Sequence, residues 1–493
     1  MLARADRAAG ETIERAVRDH HYRRLRNLGW QRILDSKTPG FWVTGDPPVR
    51  PGNGVRILID GAALFPEIER AMRQARSHIH VANWFLSPDF RLTRPAYVSA
   101  ADDGSSATTP IPEGMTIREL LAELATTVSV RVLLWAGPPV PWSAIARPAI
   151  RALRDELTRG TRVECFLDRY ERPLHTHHEK IIVIDDEVAF VGGLDPTDFR
   201  GDRYDSSEHP LREGLGWHDT AAELRGPAVA DVAAYFNVRW HAVSGQRPPG
   251  VRPADKVGTT DVQVLSTIPE RIYPSVPRGV FRILDGYRRA LASARRLIYI
   301  ENQFLWSSEI VTVLRQKLLA PPSDDFRMLI VLPAKAATGT DDTRGQLGAL
   351  LEADYHKRLL ACTVYSSSVA RSNPIYVHSK LAVVDDHWLT VGSANLNDHS
   401  LFNDTELNLA VYDDEIARST RQRLWAEHLE LPVAKVAGQP ATIIDEVWRP
   451  IAEEQYQRRS RGEPMTQRVA QLPGVSRHSE RLLGPLQGLV LDG

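Results

Sequence analysis

Apolar and polar positions along the chain alternate between two periods, two residues and about 3.6 residues, so strands and helices are predicted in turn. The run Gly52-Asn-Gly-Val-Arg-Ile-Leu-Ile-Asp-Gly61 is apolar and closed by turn residues, which predicts a strand. Leu64, Ile68, Ala71 and Ala75 then share one helical face, predicting a helix from Leu64 to about Ala75. Ile79-His-Val-Ala-Asn-Trp-Phe-Leu86 reads as a buried strand. Residues 93–115 are polar and rich in Pro, Gly and Ser, an inserted loop with the reach of a lid. Thr116-Ile-Arg-Glu119 has the form of a capping box opening a helix through Leu124. Val128–Trp135 is a further strand and Ala146–Leu157 a further helix. Alternation of this kind predicts an α/β fold.

The pattern then restarts. Displaced by 219 positions, Ile68, Ala71 and Ala75 correspond to Tyr287, Ala290 and Ala294, and Ile79–Leu86 corresponds to Ile298-Tyr-Ile-Glu-Asn-Gln-Phe-Leu305. Met328-Leu-Ile-Val-Leu-Pro333 takes the place of Val130–Trp135. This is duplication at the scale of a domain, too long for a solenoid repeat. The expected organisation is an N-terminal arm at 1–50, helical and charged to about 36, a first unit at 51–245 and a linker at 246–260. A second unit at 261–435 and a C-terminal extension at 436–493 complete it.

Composition narrows the class without deciding it. The 493 residues are 43% apolar and 25% charged, with a formal charge of −1. That is an ordinary globular profile with no overall basic field to attract nucleic acid. Cys165 and Cys362 sit in apolar runs without metal-ligand spacing, so core packing is their expected role. The N-terminus lacks the apolar stretch of a signal peptide, and no run approaches the roughly 18 apolar residues that span a bilayer. The expectation is a cytoplasmic, monomeric protein that meets any lipid from the water side.

The chemistry lies in one motif that occurs twice. His178-Glu-Lys180-Ile-Ile-Val-Ile-Asp185 returns two hundred positions later as His378-Ser-Lys380-Leu-Ala-Val-Val-Asp385. On a strand, the His and Lys two residues apart share a face. An ammonium attracts a phosphate, and an imidazole attacks it or donates a proton. Seventeen residues past each His comes a Gly-rich turn, Gly192-Gly193-Leu-Asp195 and Gly392-Ser393-Ala-Asn395. Glycine lets backbone N–H groups approach an anion, and the Ser393 hydroxyl and Asn395 amide are candidate donors to phosphate oxygens. Each His needs an acceptor to fix its tautomer. Asp219, in Trp217-His-Asp-Thr220, and Glu406, in Asp404-Thr-Glu-Leu-Asn408, are the candidates.

These residues resemble the phospholipase D superfamily, whose hallmark is a doubled H-x-K-x4-D motif, and within it the eukaryote-like subgroup. The resemblance spans roughly residues 55–430 and includes Tyr299-Ile-Glu-Asn-Gln303. It implies two similar α/β units packed with pseudo-twofold symmetry, the active site at their seam, and catalysis through a phosphohistidine without a cofactor. By that resemblance the catalytic set is His178, Lys180, Asp185, His378, Lys380, Asp385, Asp219 and Glu406, with His178 as nucleophile and His378 as acid. Asp185 and Asp385 stand seven residues from their histidines, an odd spacing that puts them on the opposite strand face, where a supporting role is expected. The phosphate would meet Asn395, Ser393, Gly193 and Asp195. Asp195 departs from the symmetry, because a carboxylate repels a phosphodiester unless it is protonated or bonded to donors. A structural place is expected for it.

No metal is implied, and no His/Cys/carboxylate cluster with metal spacing is visible in the sequence. The implied substrate is a glycerophospholipid reached by peripheral contact with a membrane surface, with water or an alcohol as acceptor and no nucleic acid. Alternatives of the same chemistry are phosphatidyl transfer of the cardiolipin synthase type, whose enzymes usually carry N-terminal membrane helices, and a superfamily nuclease. A catalytically inactive lipid-binding scaffold is the non-enzymatic alternative. The remaining histidines near the motifs, His175, His177, His218 and His399, are expected to be loop structure. Arg203 is expected in a turn salt bridge, and Trp84, Trp306 and Trp388 in the core.

Overall fold

A computed structural model describes residues 2–35, 39–94, 114–139, 143–173, 175–207, 209, 216–247, 250–335, 340–366 and 373–472. Most of the loop expected at 93–115 lies outside these residues. The first half contributes β1 (Arg50–Ile59), β2 (His78–Asn83), β3 (Ser129–Trp135), β4 (Glu164–Asp168), β5 (Lys180–Ile184), β6 (Val188–Gly192), β7 (Trp217–His218) and β8 (Thr220–Arg225). The second contributes β9 (Thr260–Ile268), β10 (Val280–Phe281), β11 (Leu297–Glu301), β12 (Arg327–Val331), β13 (Leu359–Val364), β14 (Tyr376–Val377), β15 (Leu381–Val384), β16 (Trp388–Gly392), β17 (Glu406–Tyr412) and β18 (Val469–Gln471).

The duplication is visible in the order of strands. The first half runs β1-β8-β6-β5-β2-β3-β4 and the second β9-β17-β16-β15-β11-β12-β13, the same sequence of counterparts. In each, the three outer strands are parallel and the rest antiparallel. β1 pairs antiparallel with β9, joining the halves. β18, from the C-terminal stretch, adds an edge strand beside β13, so residues 469–471 extend the second half's sheet.

Both sheets are covered on both faces, which is why their strands read as unbroken apolar runs. Ile181 and Val183 of β5 join a central cluster with Leu381 and Val383 of β15, and the helices Val229–Ser244 and Asp414–Leu429 lie in it as well. Ile182 and Ile184 face an outer cluster under the helices Asp60–Met72 and Ile117–Leu124. Ala382 and Val384 face a matching outer cluster under Arg282–Ser293 and Ser308–Leu319. Each fully buried Val, Leu or Ile contributes about 1.5–3 kcal/mol, so the seam is held by a shared core. The Thr116 capping box forms as its sequence predicts. The helix expected from Leu64 begins at Asp60. The arm helix Leu2–Leu28 packs on the second half: Leu25 is buried, His21 stacks on Phe402 at 3.9 Å, and Arg24 binds Glu270 at 2.6 Å.

One expectation about the motifs changes. The histidines do not lie on the strands: β5 begins at Lys180 and β15 at Leu381. The residues before them use their backbone groups across the seam instead. β14 pairs with β7, matching Tyr376 to Trp217 and Val377 to His218, and His177 bridges Thr405. The His178 N–H donates to the Thr405 carbonyl at 2.9 Å, and the His378 N–H to the His218 carbonyl at 2.8 Å.

Candidate active site

Those two seam ladders decide which carboxylate each histidine meets. β17 brings Glu406 to His178, with Nδ1 at 3.0 Å and 3.2 Å from the two carboxylate oxygens. The residue after β7, Asp219, meets His378, with Nδ1 at 2.6 Å from Oδ2. Each imidazole therefore comes from one half and its acceptor from the other. All four side chains are buried. With Nδ1 donating to a carboxylate, Nε2 is the reactive nitrogen in both rings.

The lysines are held differently. Lys180 Nζ donates to the His178 carbonyl at 2.6 Å and pairs with Asp195 at 3.2 Å. Lys380 Nζ donates to the His378 carbonyl and to Gln303 Oε1, the latter at 3.1 Å. Asp195 also accepts from Asn83 Nδ2 and the Phe85 N–H, each at 3.1 Å. Its charge is thus spent on protein donors, which removes it from the phosphate-binding set. Two further candidates leave that set. The Ser393 hydroxyl donates to Glu406, and the Gly193 N–H donates to the Thr220 carbonyl at 3.3 Å. Gly193 is required for another reason: a Cβ there would stand 2.4 Å and 2.6 Å from the two Asp219 oxygens. Asn395 stays in the set. It is fully buried, and neither its amide oxygen nor its nitrogen has a hydrogen-bond partner.

Asp185 and Asp385, counted with the catalytic residues for their place in the motif, stand at the far ends of their strands. Asp185 accepts from the N–H groups of Arg76, Ser77 and His78, and Asp385 from those of Arg295, Arg296 and Leu297. Each fastens the turn that enters β2 or β11, so their role is structural. The seven-residue spacing carries them past the end of the strand, away from the imidazoles.

The electrostatics keep the His378 ring neutral. Burial lifts Asp219 to about 7, against the pull of the Lys380 ammonium. Burial also holds His378 well below the ordinary histidine range, and the charges of Lys380, Arg203 and Lys180 push the same way. Burial, with Asp404 adding to it, raises Glu406 well above the carboxylate range, while the Ser393 and Ser400 hydroxyls oppose the shift. Ser400, whose hydroxyl also donates to Glu406, carried no sequence signal. Gln303 was visible only as part of a signature and proves to hold Lys380. Arg203 stacks on Trp217 and donates to the Phe199 carbonyl at 2.8 Å, and Trp217 lies 4.3 Å from the His378 ring. Trp84 packs beside Lys180, at 5.7 Å from Nζ. His177, between Asp168 at 3.0 Å and Thr405 Oγ1 at 2.9 Å, is buried structure, as expected.

No metal-like cluster was visible in the sequence, yet Asp60, His209, His218 and Glu427 each bring one ligand atom to within 4.8 Å of the others. These positions are scattered over the chain, so no spacing rule finds them.

The domain family described as "Cardiolipin synthase, PLD-like domain" matches residues 287–427. Phospholipase D A of Dictyostelium discoideum is 26% identical over 479 residues, which cover 78% of this chain and 36% of that protein. Phospholipase D alpha 4 of Arabidopsis thaliana is 27% identical over 550 residues, 84% of this chain and 69% of that protein. The chain thus spans about a third of the first relative and about two thirds of the second. The crystal structure of phosphatidylserine synthase from Haemophilus influenzae Rd KW20 has the same fold, with a TM-score of 0.52 at 12% identity over 80% of this chain and 93% of that one. Among the described residues no helix is long and apolar enough to cross a membrane.

Proposed function

This chain belongs to the phospholipase D superfamily, and on that premise we propose that it is a phospholipase D-type phosphodiesterase. It cleaves the distal phosphodiester of glycerophospholipids and passes the phosphatidyl group to water or an alcohol. The observation that carries this reading is the crossed arrangement of the imidazoles, each with Nδ1 fixed by a carboxylate of the opposite half.

His178 Nε2 attacks phosphorus, forming an N–P bond as the P–O bond to the headgroup breaks. His378 Nε2 delivers a proton to the departing alkoxide. Water or an alcohol then returns its proton to His378 and attacks phosphorus, and the N–P bond breaks. Lys180, Lys380 and Asn395 hold the non-bridging oxygens and offset charge in the transition state. The low proton affinity of His378 at rest is part of this scheme. Burial and the neighbouring cations both depress it, and a bound phosphodiester offsets the cations, so the proton affinity of the imidazole rises as substrate binds. Lipid is reached by peripheral contact with the membrane surface.

The description of the matching family favours a second reading, cardiolipin synthase-type transfer to a lipid alcohol. One experiment separates the readings. Mixed phospholipid vesicles are incubated with the protein, with and without ethanol, and the lipids are read by mass spectrometry. Phosphatidylethanol that depends on both His178 and His378 supports the first reading and identifies the donor lipid. Cardiolipin formed from phosphatidylglycerol, with little phosphatidylethanol, supports the second. The absence of any lipid product overturns both, and cleavage of DNA by the same preparation would then mark a nuclease. Vesicle binding without covalent phosphate would mark a scaffold.

A further inference from the structure

We propose that Asp60, His209, His218 and Glu427 form a structural site for one zinc-class divalent cation, which fastens the backbone beneath the His378–Asp219 pair. The distances have the required form. His218 Nδ1 lies 3.1 Å from Asp60 Oδ1 and 3.5 Å from Glu427 Oε1. His209 Nε2 lies 3.5 Å from Asp60 Oδ2 and 3.2 Å from Glu427 Oε1. Zinc bound at about 2.0–2.1 Å in a tetrahedron sets its ligands about 3.3 Å apart.

Hydrogen bonding accounts for only part of the cluster, the contact of His209 Nε2 with Glu427 Oε1 at 3.2 Å. His218 and Asp60 are 0% and 1% exposed, yet His218 Nδ1 and Asp60 Oδ2 have no hydrogen-bond partner. Two buried polar atoms of the cluster are therefore left with capacity for a ligand. The remaining nitrogen of His218 is placed as a metal-ligating histidine needs it. Nε2 is 3.0 Å from Glu301 Oε2, a buried carboxylate that His428 Nε2 also meets, at 2.6 Å. A carboxylate on the far nitrogen fixes the tautomer that exposes the other lone pair to a metal. Two neutral imidazoles and two carboxylates around a dication sum to zero charge, which suits a buried site. A set of two nitrogens and two oxygens selects zinc over calcium or magnesium, which prefer more ligands and all-oxygen surroundings.

The site's position gives it a purpose. Asp60 Oδ1 also accepts the Asp219 N–H at 3.0 Å, and the His218 carbonyl accepts the N–H groups of His378 and Ser379 at 2.8 Å and 3.1 Å. Asp60, His209 and His218 come from the first half and Glu427 from the second. The ion joins the halves behind the reacting residues and takes no part in phosphoryl transfer, so its test is independent of the activity.

Full-length protein prepared without a histidine tag and without chelator is analysed by elemental analysis and native mass spectrometry. One zinc per chain is expected. Its removal by a strong chelator lowers the melting temperature, and added zinc restores it. His209→Asn and Glu427→Gln lose the metal, and Glu301→Gln binds it about 10–100-fold more weakly. Wild-type protein that holds no zinc, either as purified or after dialysis against zinc, overturns the proposal, and His218 is then a protonated histidine held between Asp60 and Glu301. Zinc retained at full stoichiometry in both ligand variants overturns it as well, by placing the metal elsewhere. If the variants fail to fold, the zinc content and zinc-dependent melting of the wild type decide.

Discussion

The two imidazole–carboxylate pairs do one job with parts of different size. Asp219 is the shorter acid, and it reaches His378 at 2.6 Å only because position 193 is glycine, with no Cβ to collide with its oxygens. Glu406 is longer by one methylene. At the position equivalent to Gly193 stands Ser393, which fills the space and donates its hydroxyl to the carboxylate. Acid length and turn residue have been exchanged together, and in both halves the result is an acceptor fixed at Nδ1. The lysines differ in the same way: Lys180 is neutralised by Asp195, whereas Lys380 rests on the amide of Gln303. The motifs are symmetric, but their supports are not.

The comparison breaks most severely if the acceptors are disabled. In Asp219→Asn and in Glu406→Gln the amide presents a donor where Nδ1–H needs an acceptor, favouring the wrong tautomer. Each should lower kcat about 10²–10⁴-fold, with the melting temperature little changed. Steady-state turnover of the lipid identified in the vesicle assay measures this. Full activity in either variant would show that the crossed pairs orient nothing. The size exchange offers a second test. Gly193→Ser and Asp219→Glu should each be damaging, and the double variant less so than their sum, with a coupling of about 1–3 kcal/mol in kcat/KM. Strict additivity would mean that the turn and the acid do not share the space.

Much of this was legible in the chain. The doubled motifs and the 219-residue displacement follow from like residues recurring at like spacing, and Asp219 and Glu406 from acids that open apolar runs late in each half. The crossing did not follow, because the acceptors are 228 and 159 positions from their histidines and repetition says only what each half contains. The same limit hid Ser400 and the Asp60–His209–His218–Glu427 cluster, whose members touch only through tertiary packing. Gly193 and Ser393 were legible as a pair but misread. Their conformational and hydrogen-bonding capacity was matched to a phosphate, and the fold spends it on the carboxylates.

A third difference lies in the counterpart strands β2 and β11, where Tyr299 holds the position that corresponds to His80. His80 is stacked on Phe236 at 4.5 Å, and burial, with His78 and Arg131 adding to it, lowers it to about 3. The folded protein keeps this ring neutral while the unfolded chain protonates it below about 6.5, so stability present above that pH is lost as the pH falls. Burial pushes Tyr299 well above the ordinary tyrosine range, so it stays uncharged throughout. Between pH 6.5 and 5 the wild type should lose about 2 kcal/mol more than His80→Phe. Denaturant unfolding at the two pH values measures it, and equal losses would show that His80 does not set the acid sensitivity of the first half.

Asp195→Asn makes the two turns alike and should have the smallest effect. The asparagine oxygen keeps the bond from the Phe85 N–H, and Lys180 keeps the His178 carbonyl, so the local backbone has no reason to move. What changes is charge: the Lys180 ammonium loses its carboxylate and is left to the substrate. Attraction for an anionic phosphodiester rises, and KM should fall by a few fold, about 1 kcal/mol, with a steeper dependence on salt. The gain appears in binding rather than in kcat, because Lys180 meets the phosphate in ground and transition states alike. The same unbalanced charge costs the substrate-free protein stability, which a bound phosphodiester should restore in a melting experiment. An unchanged KM with an unchanged salt slope would show that the Lys180 charge is not used on the substrate, leaving Lys380 and Asn395 to hold it from one side.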